Sequence, residues 1–112
     1  MTLSDSPSPD LHARFARADG DLPVLQVAGE VDVATAPALA EHLDALLAGG
    51  DARVVVETGG MTFIDSSGLG ALVTALRRAR ASGQEIEIRG LQPSPRRVFE
   101  ITGLHEVFVL AD

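Results

Sequence analysis

The sequence predicts an α/β domain with a mixed, mostly parallel β-sheet and helices packed on it. Apolar patterns typical of strands alternate with patterns typical of helices, in the order β-β-α-β-α-β-α-β. Such alternation indicates right-handed crossovers between parallel strands. The chain has 112 residues and no internal repeat, so residues 11–112 are predicted to form one domain.

The N-terminal part of the chain predicts a tail followed by a hairpin. Residues 1–10 are rich in Ser, Pro and Asp, and we expect them to be flexible. Leu11, Ala13 and Phe15 alternate with more polar residues, which is typical of a half-exposed strand. A second strand begins at Pro23 after a short turn, and the short link predicts a hairpin.

The first helix is predicted by its end signals and by one apolar stripe. Thr35 suits the N-cap, Pro37 suits the first turn, and Gly49 and Gly50 suit the end. The stripe consists of Leu39, Leu43, Leu46 and Leu47. The continuous apolar run RVVVET that follows is typical of a strand covered on both faces.

A second helix and a fourth strand follow the segment FIDSSGLGAL. The helix is predicted to end at Gly83, after a core-facing stripe of Leu69, Leu72, Val73 and Leu76. In the next strand, Ile86 and Ile88 are expected to point inward. The charged residues of that strand, expected to point outward, are Glu85, Glu87 and Arg89.

The last elements are a short helix and a short strand. Ser94 is predicted to cap the helix, Pro95 to occupy its first position and Gly103 to stop it. The final segment EVFVLAD predicts a short strand. The only aromatic residues other than histidine are four phenylalanines, which we expect to be the largest side chains of the core. They are Phe15, Phe63, Phe99 and Phe108.

Composition excludes several classes of function. The chain has no cysteine, which excludes disulfides and thiolate metal sites. Its net charge is -7, which argues against direct binding to nucleic acid or to an anionic membrane. No signal peptide and no membrane-spanning run is recognisable, so we expect a cytoplasmic protein. We expect no cofactor.

The segment FIDSSGLGAL allows four interpretations. Asp65 or Ser66 can cap the helix, with Gly68 and Gly70 allowing close packing on the sheet. The second interpretation, a phosphate-binding loop, is disfavoured because the chain has no lysine for such a loop. The third, a hydrolase nucleophile, is disfavoured because the pattern G-x-S-x-G and a base beside the serine are missing. The histidines are isolated in sequence, which also argues against a metal site. The fourth interpretation is a regulatory serine at a helix N-terminus, where free amides and the helix dipole favour an added phosphate.

Three motifs in order resemble those of the STAS domain family, and within it those of the anti-sigma factor antagonists. They are AGEVDVATAP, FIDSSGLGALV and RVFEITGL, and the resemblance extends over nearly the whole chain. The family resemblance implies that Ser66 accepts a phosphate, and it does not extend this role to Ser67. The segment VVVETGGM departs from the family pattern and predicts an unusual turn at Gly59 and Gly60.

The resemblance implies a protein that switches partners. Its unphosphorylated form would bind an anti-sigma factor that is a serine kinase and so release a sigma factor. A PPM-type phosphatase would reverse the phosphorylation, and the protein would be a monomer or weak dimer without enzymatic activity. The predicted partner-binding residues are Glu30, Asp32, Thr35, Asp65, Ser66, Ser67 and Gly68.

Two alternatives remain open from the sequence. The domain could be a STAS scaffold of a signalling or transport complex without a kinase switch, or, more remotely, a serine hydrolase. Glu30 and Asp32 also have a purely structural interpretation, in which Asp32 satisfies amides of an acidic connection between a strand and a helix.

Overall fold

In the part of the chain that is described, five strands, three α-helices and one short 3₁₀ helix follow one another in the predicted order. The computed structural model describes residues 11–17 and 22–112, and the predicted flexible tail lies outside these ranges. In chain order the elements are β1 (Leu11–Arg17), β2 (Pro23–Val31), α1 (Ala36–Ala48), β3 (Arg53–Ile64), α2 (Ser66–Ala81), β4 (Glu85–Arg89), α3 (Pro93–Ile101), the 3₁₀ helix (Leu104–Glu106) and β5 (Val109–Ala111).

The strands form one mixed sheet in the order β1-β2-β3-β4-β5. Strand β1 pairs with β2 in the antiparallel sense, and the other neighbours are parallel. The mostly parallel sheet and the N-terminal hairpin are therefore confirmed, although residues 18–21 of the hairpin connection lie outside the described part of the chain. Each parallel pair is joined through one of the three helices, as βα units require.

Strand β3 is longer than predicted, because the segment ETGG does not turn. The strand continues through Gly59 and Gly60, and its register against β2 shifts between Gln26 and Ala28. A Cβ atom on Gly60 would lie 2.8 Å from the Cβ atom of Ala28, so the strands approach closely here. The unusual turn predicted at these glycines is wrong, since bulges absorb the extra residues while the strand goes on.

The core lies between one face of the sheet and the three helices. Alternate residues of β3 and β4, such as Val54, Val56 and Ile86, join helix residues in one buried cluster. Phe99 and Phe108 belong to this cluster, with ring centroids 5.8 Å apart. Both are confirmed as core residues.

Two other predicted core residues lie at the surface. Phe15 is 52% exposed and Phe63 is 45% exposed. Phe15 lies on the edge strand β1, and its ring contacts that of His42 at a centroid distance of 5.9 Å. Phe63 precedes the buried Ile64, and neighbouring residues of a strand point to opposite faces.

Two details of the C-terminal half also differ from the prediction. Helix α3 begins at Pro93 with Gln92 as N-cap, and not at Pro95 with Ser94 as N-cap. Both prolines fit in the first turn, because its backbone amides have no partner within the helix. Glu87 is 9% exposed, although an outward position was expected. It does point away from the core cluster, but it accepts a hydrogen bond from Nε of Arg89 within a central strand.

Candidate functional site

The candidate site lies at the carboxyl ends of two neighbouring strands, β2 and β3. Glu30 pairs with Phe63 and Val31 with Ile64 in the register of β2 and β3. The amide of Asp65 donates to the carbonyl oxygen of Val31 at 3.1 Å, which ties the two chain segments together beyond the strand ends. The β2–α1 connection and the start of α2 therefore lie side by side.

Asp65 is the N-cap of α2. Its backbone is extended, and its Oδ1 atom accepts hydrogen bonds from the amides of Ser67 at 2.9 Å and Gly68 at 3.2 Å. Its carbonyl oxygen accepts the amide of Leu69 at 2.9 Å. Three amides of the first turn are thus already bound by Asp65. Of the two caps that the sequence allowed, the aspartate is the one used.

Ser66 occupies the first helical position and is exposed. Its hydroxyl makes no hydrogen bond to any residue of the described ranges. The amide of Ser66 is the one amide in the first turn of α2 that Asp65 does not bind. A reagent can therefore reach this hydroxyl without breaking any contact of the domain.

Gly68 and Gly70 serve different purposes, although the sequence predicted close packing for both. A Cβ atom on Gly68 would lie 2.6 Å from Cγ1 of Val31 and 2.7 Å from Cγ1 of Ile64. A Cβ atom on Gly70 would meet nothing within 4 Å. Only Gly68 allows the helix to approach the ends of both strands, and the packing role predicted for Gly70 is wrong.

The neighbouring connection is held by Asp32 and Thr35. Oδ1 of Asp32 accepts the amides of Ala34 at 3.0 Å and Thr35 at 3.1 Å. The Thr35 hydroxyl accepts the amide of Asp32 at 2.9 Å and donates to the carbonyl oxygen of Glu30 at 3.0 Å. Thr35 is 1% exposed, so it cannot present its side chain to a partner and acts by positioning this connection.

Two apolar side chains at these strand ends were not predicted as surface residues. Val33 is 74% exposed in the β2–α1 connection, and Phe63 is 45% exposed beside Glu30 in the register. Alternation along β3 could have identified Phe63, because Ile64 was the better candidate for the core face. Together with Glu30, Asp65 and Ser66, the exposed Val33 and Phe63 form what we call the switch surface.

The hydrolase and metal hypotheses gain no geometric support. Nδ1 of His42 lies 2.8 Å from the carbonyl oxygen of Ala38, and Nδ1 of His105 lies 3.4 Å from that of Phe99. No histidine of the described residues contacts Ser66. Within residues 11–17 and 22–112, no group of three or more His, Asp or Glu is placed to hold a metal ion, and no helix is long and apolar enough to cross a membrane.

Comparison with known proteins agrees with the fold and the motifs. The family described as "Mlab, STAS domain" matches residues 15–111. An anti-sigma-B factor antagonist of Staphylococcus aureus (strain NCTC 8325 / PS 47) is 35% identical over 83 residues, which cover 74% of this chain and 77% of that protein. One of Bacillus subtilis (strain 168) is 33% identical over 84 residues, covering 74% of this chain and 75% of that protein.

A solved structure extends the similarity to three dimensions. The crystal structure of an anti-sigma factor antagonist from Mycobacterium paratuberculosis superposes with a TM-score of 0.77 and 30% identity, over 95% of this chain and 90% of that chain. These matches confirm the resemblance inferred from the three sequence motifs. The chain belongs to the STAS domain family.

Proposed function

We propose that this chain is an anti-sigma factor antagonist that acts by exchanging partners and not by catalysis. Its unphosphorylated form binds a serine kinase that is also an anti-sigma factor, and a sigma factor is released. Phosphorylation of Ser66 ends this binding, and a PPM-type phosphatase restores it. The names of the relatives and the exposed, unbonded hydroxyl of Ser66 support this proposal.

The position of Ser66 is the observation that carries the proposal. A kinase must draw the acceptor hydroxyl into its own active site, which is easiest for a side chain that supports nothing else. Ser66 meets this requirement, because the capping hydrogen bonds of α2 come from Asp65. Ser67 is only partly exposed, and its amide is held by the same carboxylate.

The chemistry of the switch surface defines the partner. Glu30 is exposed near the end of β2, and Asp65 follows directly after the neighbouring end of β3. A partner that covers them must supply basic side chains, because a buried carboxylate without a partner is costly. Val33 and Phe63 add apolar contacts, and aromatic residues including phenylalanine are enriched in protein interfaces. We therefore propose a partner surface with an apolar centre and a basic rim.

A phosphate on Ser66 is expected to change this surface and leave the fold unchanged. Several free amides were expected at the helix start, but Asp65 already binds those of Ser67 and Gly68. The phosphate can reach only the amide of Ser66 without displacing the cap. It therefore stays at the surface, next to a carboxylate, and adds about 1.5–2 negative charges where the partner must fit. Its bulk and its unsatisfied geometry then oppose binding.

The first test is phosphorylation by a purified kinase-type anti-sigma factor encoded near this gene. Incubated with ATP, the wild-type chain should gain one phosphate, which peptide mass spectrometry should locate on Ser66. Ser66→Ala should abolish the gain, and Ser67→Ala is the matched control that should keep it. A phosphate on Ser67 would contradict the assignment of Ser66 as the acceptor. The absence of any phosphate would favour the scaffold alternative without a kinase switch.

The second test measures binding of the same partner by calorimetry. Wild type and Ser66→Ala should bind, whereas Ser66→Asp, Ser66→Glu and the phosphorylated chain should lose most of the affinity and keep a native thermal transition. Amide NMR shifts should stay near the switch surface, and shifts spreading to Ile86 and Ile88 would contradict a local mechanism. Hydrolysis of acyl esters that depends on Ser66 would instead support the hydrolase alternative.

A further inference from the structure

Strand β1 is an edge strand, and none of its residues belongs to the switch surface. Within the part of the chain that the structure describes, β1 pairs only with β2 and forms one edge of the sheet, with seven residues, whereas β5 at the other edge has three. An edge strand presents a row of unpaired amides and carbonyls to which another strand can be added. Strand β1 is thus the longer template for an added strand.

The charge of β1 is opposite to that of the chain as a whole. Its sequence LHARFAR contains two arginines, a histidine and no carboxylate, while the chain carries a net charge of -7. His12 and Arg14 alternate and so share the face that points away from the core, where both are exposed. Arg14 has no ion-pair or hydrogen-bond partner among the described residues.

A hollow borders this basic face. It has a volume of about 270 Å³ and lies between His12 and Arg14 on β1 and Gln26 and Glu57 on the next two strands. Glu57 lies on β3, two strands in from this edge, and its carboxylate accepts the amide of Gly59 at 2.6 Å. Acidic side chains of an added strand can therefore lie beside His12 and Arg14.

The opposite face of β1 offers an apolar contact. Phe15 is 52% exposed and contacts the ring of His42 on α1. A hollow of about 290 Å³ lies here, lined by Phe15, Glu41, His42 and Ala45. An added strand would place its alternate side chains against this hollow, because successive residues of a strand point to opposite faces.

We propose that β1 binds an extended segment of another protein in which acidic and apolar residues alternate. The acidic residues face His12 and Arg14, and the apolar residues face Phe15. A second copy of this chain is a poor occupant, because antiparallel pairing of two β1 strands would bring their basic faces together, and like charges opposite each other are destabilising. The residues that carry this inference are not those of the switch surface, so it does not depend on the proposed function.

The test uses a synthetic, fluorescently labelled peptide, Glu-Val-Glu-Val-Glu-Val-Glu, titrated with the full chain and followed by fluorescence anisotropy. We expect saturable binding that weakens with salt. A peptide with lysine in place of each glutamate should bind at least about tenfold more weakly, and so should one with a central proline, which removes a main-chain donor. Amide NMR shifts should be centred on β1.

Protein variants locate the binding. Arg14→Glu should weaken the peptide about tenfold, because it replaces an attraction by a repulsion. Arg97→Glu on α3 is the matched control, since it makes the same charge change at another exposed site and should leave the affinity unchanged. Both residues are exposed, and a thermal melt of each variant should match wild type.

Three results would overturn the inference. One is the absence of binding by the acidic peptide, which would mean that the arginines of β1 only protect the edge from pairing. Another is an equal loss of affinity in Arg14→Glu and Arg97→Glu, which would indicate a non-specific charge effect. The third is a dimer in sedimentation equilibrium that pairs through β1, because a second copy would then be the occupant.

Discussion

In both the β2–α1 and the β3–α2 connection, an aspartate side chain holds the backbone that follows a strand. Each follows the end of a central strand, and in each an aspartate Oδ1 accepts two backbone amides. Each connection also contains a hydroxyl residue close to the aspartate, Thr35 in the first and Ser66 in the second. Asp65 is the N-cap of α2, whereas Asp32 holds the turn that precedes α1, whose N-cap position is Thr35.

The two hydroxyls have opposite environments. Thr35 is 1% exposed and its Oγ1 atom bonds both Asp32 and Glu30, whereas Ser66 is exposed and bonds no described residue. The third helical position also differs, because Ala38 is exposed while Gly68 is packed against the strand ends. One connection uses its hydroxyl for stability, and the other leaves its hydroxyl available for modification.

Replacing Gly68 by valine should produce the largest effect on stability. The new Cβ atom would lie within 2.7 Å of Val31 and Ile64, and both neighbours belong to the core. We expect a loss of about 3 kcal/mol in the free energy of unfolding, which is the upper range for overpacking. Urea denaturation followed by circular dichroism measures this loss.

Gly70→Ala is the control for that substitution. It removes a glycine from the same helix at a position where a Cβ atom meets nothing within 4 Å. The variant should be more stable than wild type by about 0.5–1 kcal/mol, because alanine is the better helix former. Equal losses in both variants would contradict the close approach of α2 to the strands at Gly68.

Thr35→Val should have the next largest effect. Valine keeps the shape but leaves the amide of Asp32 and the carbonyl oxygen of Glu30 without the Thr35 hydroxyl. We expect a loss of about 2 kcal/mol, because the unsatisfied groups are partly buried. Thr74→Val, at an exposed position of α2, is the matched control and should change stability by less than about 0.5 kcal/mol.

Asp65→Ala should cost about 1 kcal/mol, the usual contribution of an N-cap side chain. Asp65→Asn should cost only a few tenths, because asparagine caps a helix about as well. Both stabilities follow from thermal or chemical denaturation. A large loss in the asparagine variant would show that the charge of Asp65, and not its hydrogen bonds, stabilises the start of α2.

Ser66→Ala should have the smallest effect, a change of less than about 0.5 kcal/mol in the free energy of unfolding. The hydroxyl makes no hydrogen bond to the described residues, so its removal leaves no group unsatisfied. A loss near that of Thr35→Val would mean that the two hydroxyls are equivalent, and the contrast between the two connections would then fail. The same denaturation series provides the measurement.

The order of the elements was predictable because it depends on local patterns. Apolar spacing identified each strand and helix, and glycines such as Gly50, Gly83 and Gly103 marked the helix ends with positive φ angles. Register was not predictable to the same degree. The bulges of β3 near Gly59 and Gly60 depend on how β3 lies against β2, which is distant in sequence.

The sequence by itself determined the family, the position of the site and its acceptor serine as a proposal, because these follow from a continuous motif. Only the tertiary structure decided that Asp65 and not Ser66 caps α2, which hydroxyl is buried and which glycine is packed. It also placed Phe15 and Phe63 at the surface. The physical reason is that exposure and hydrogen bonding of a side chain depend on neighbouring strands and helices, whose register is set by pairing between segments far apart in the chain.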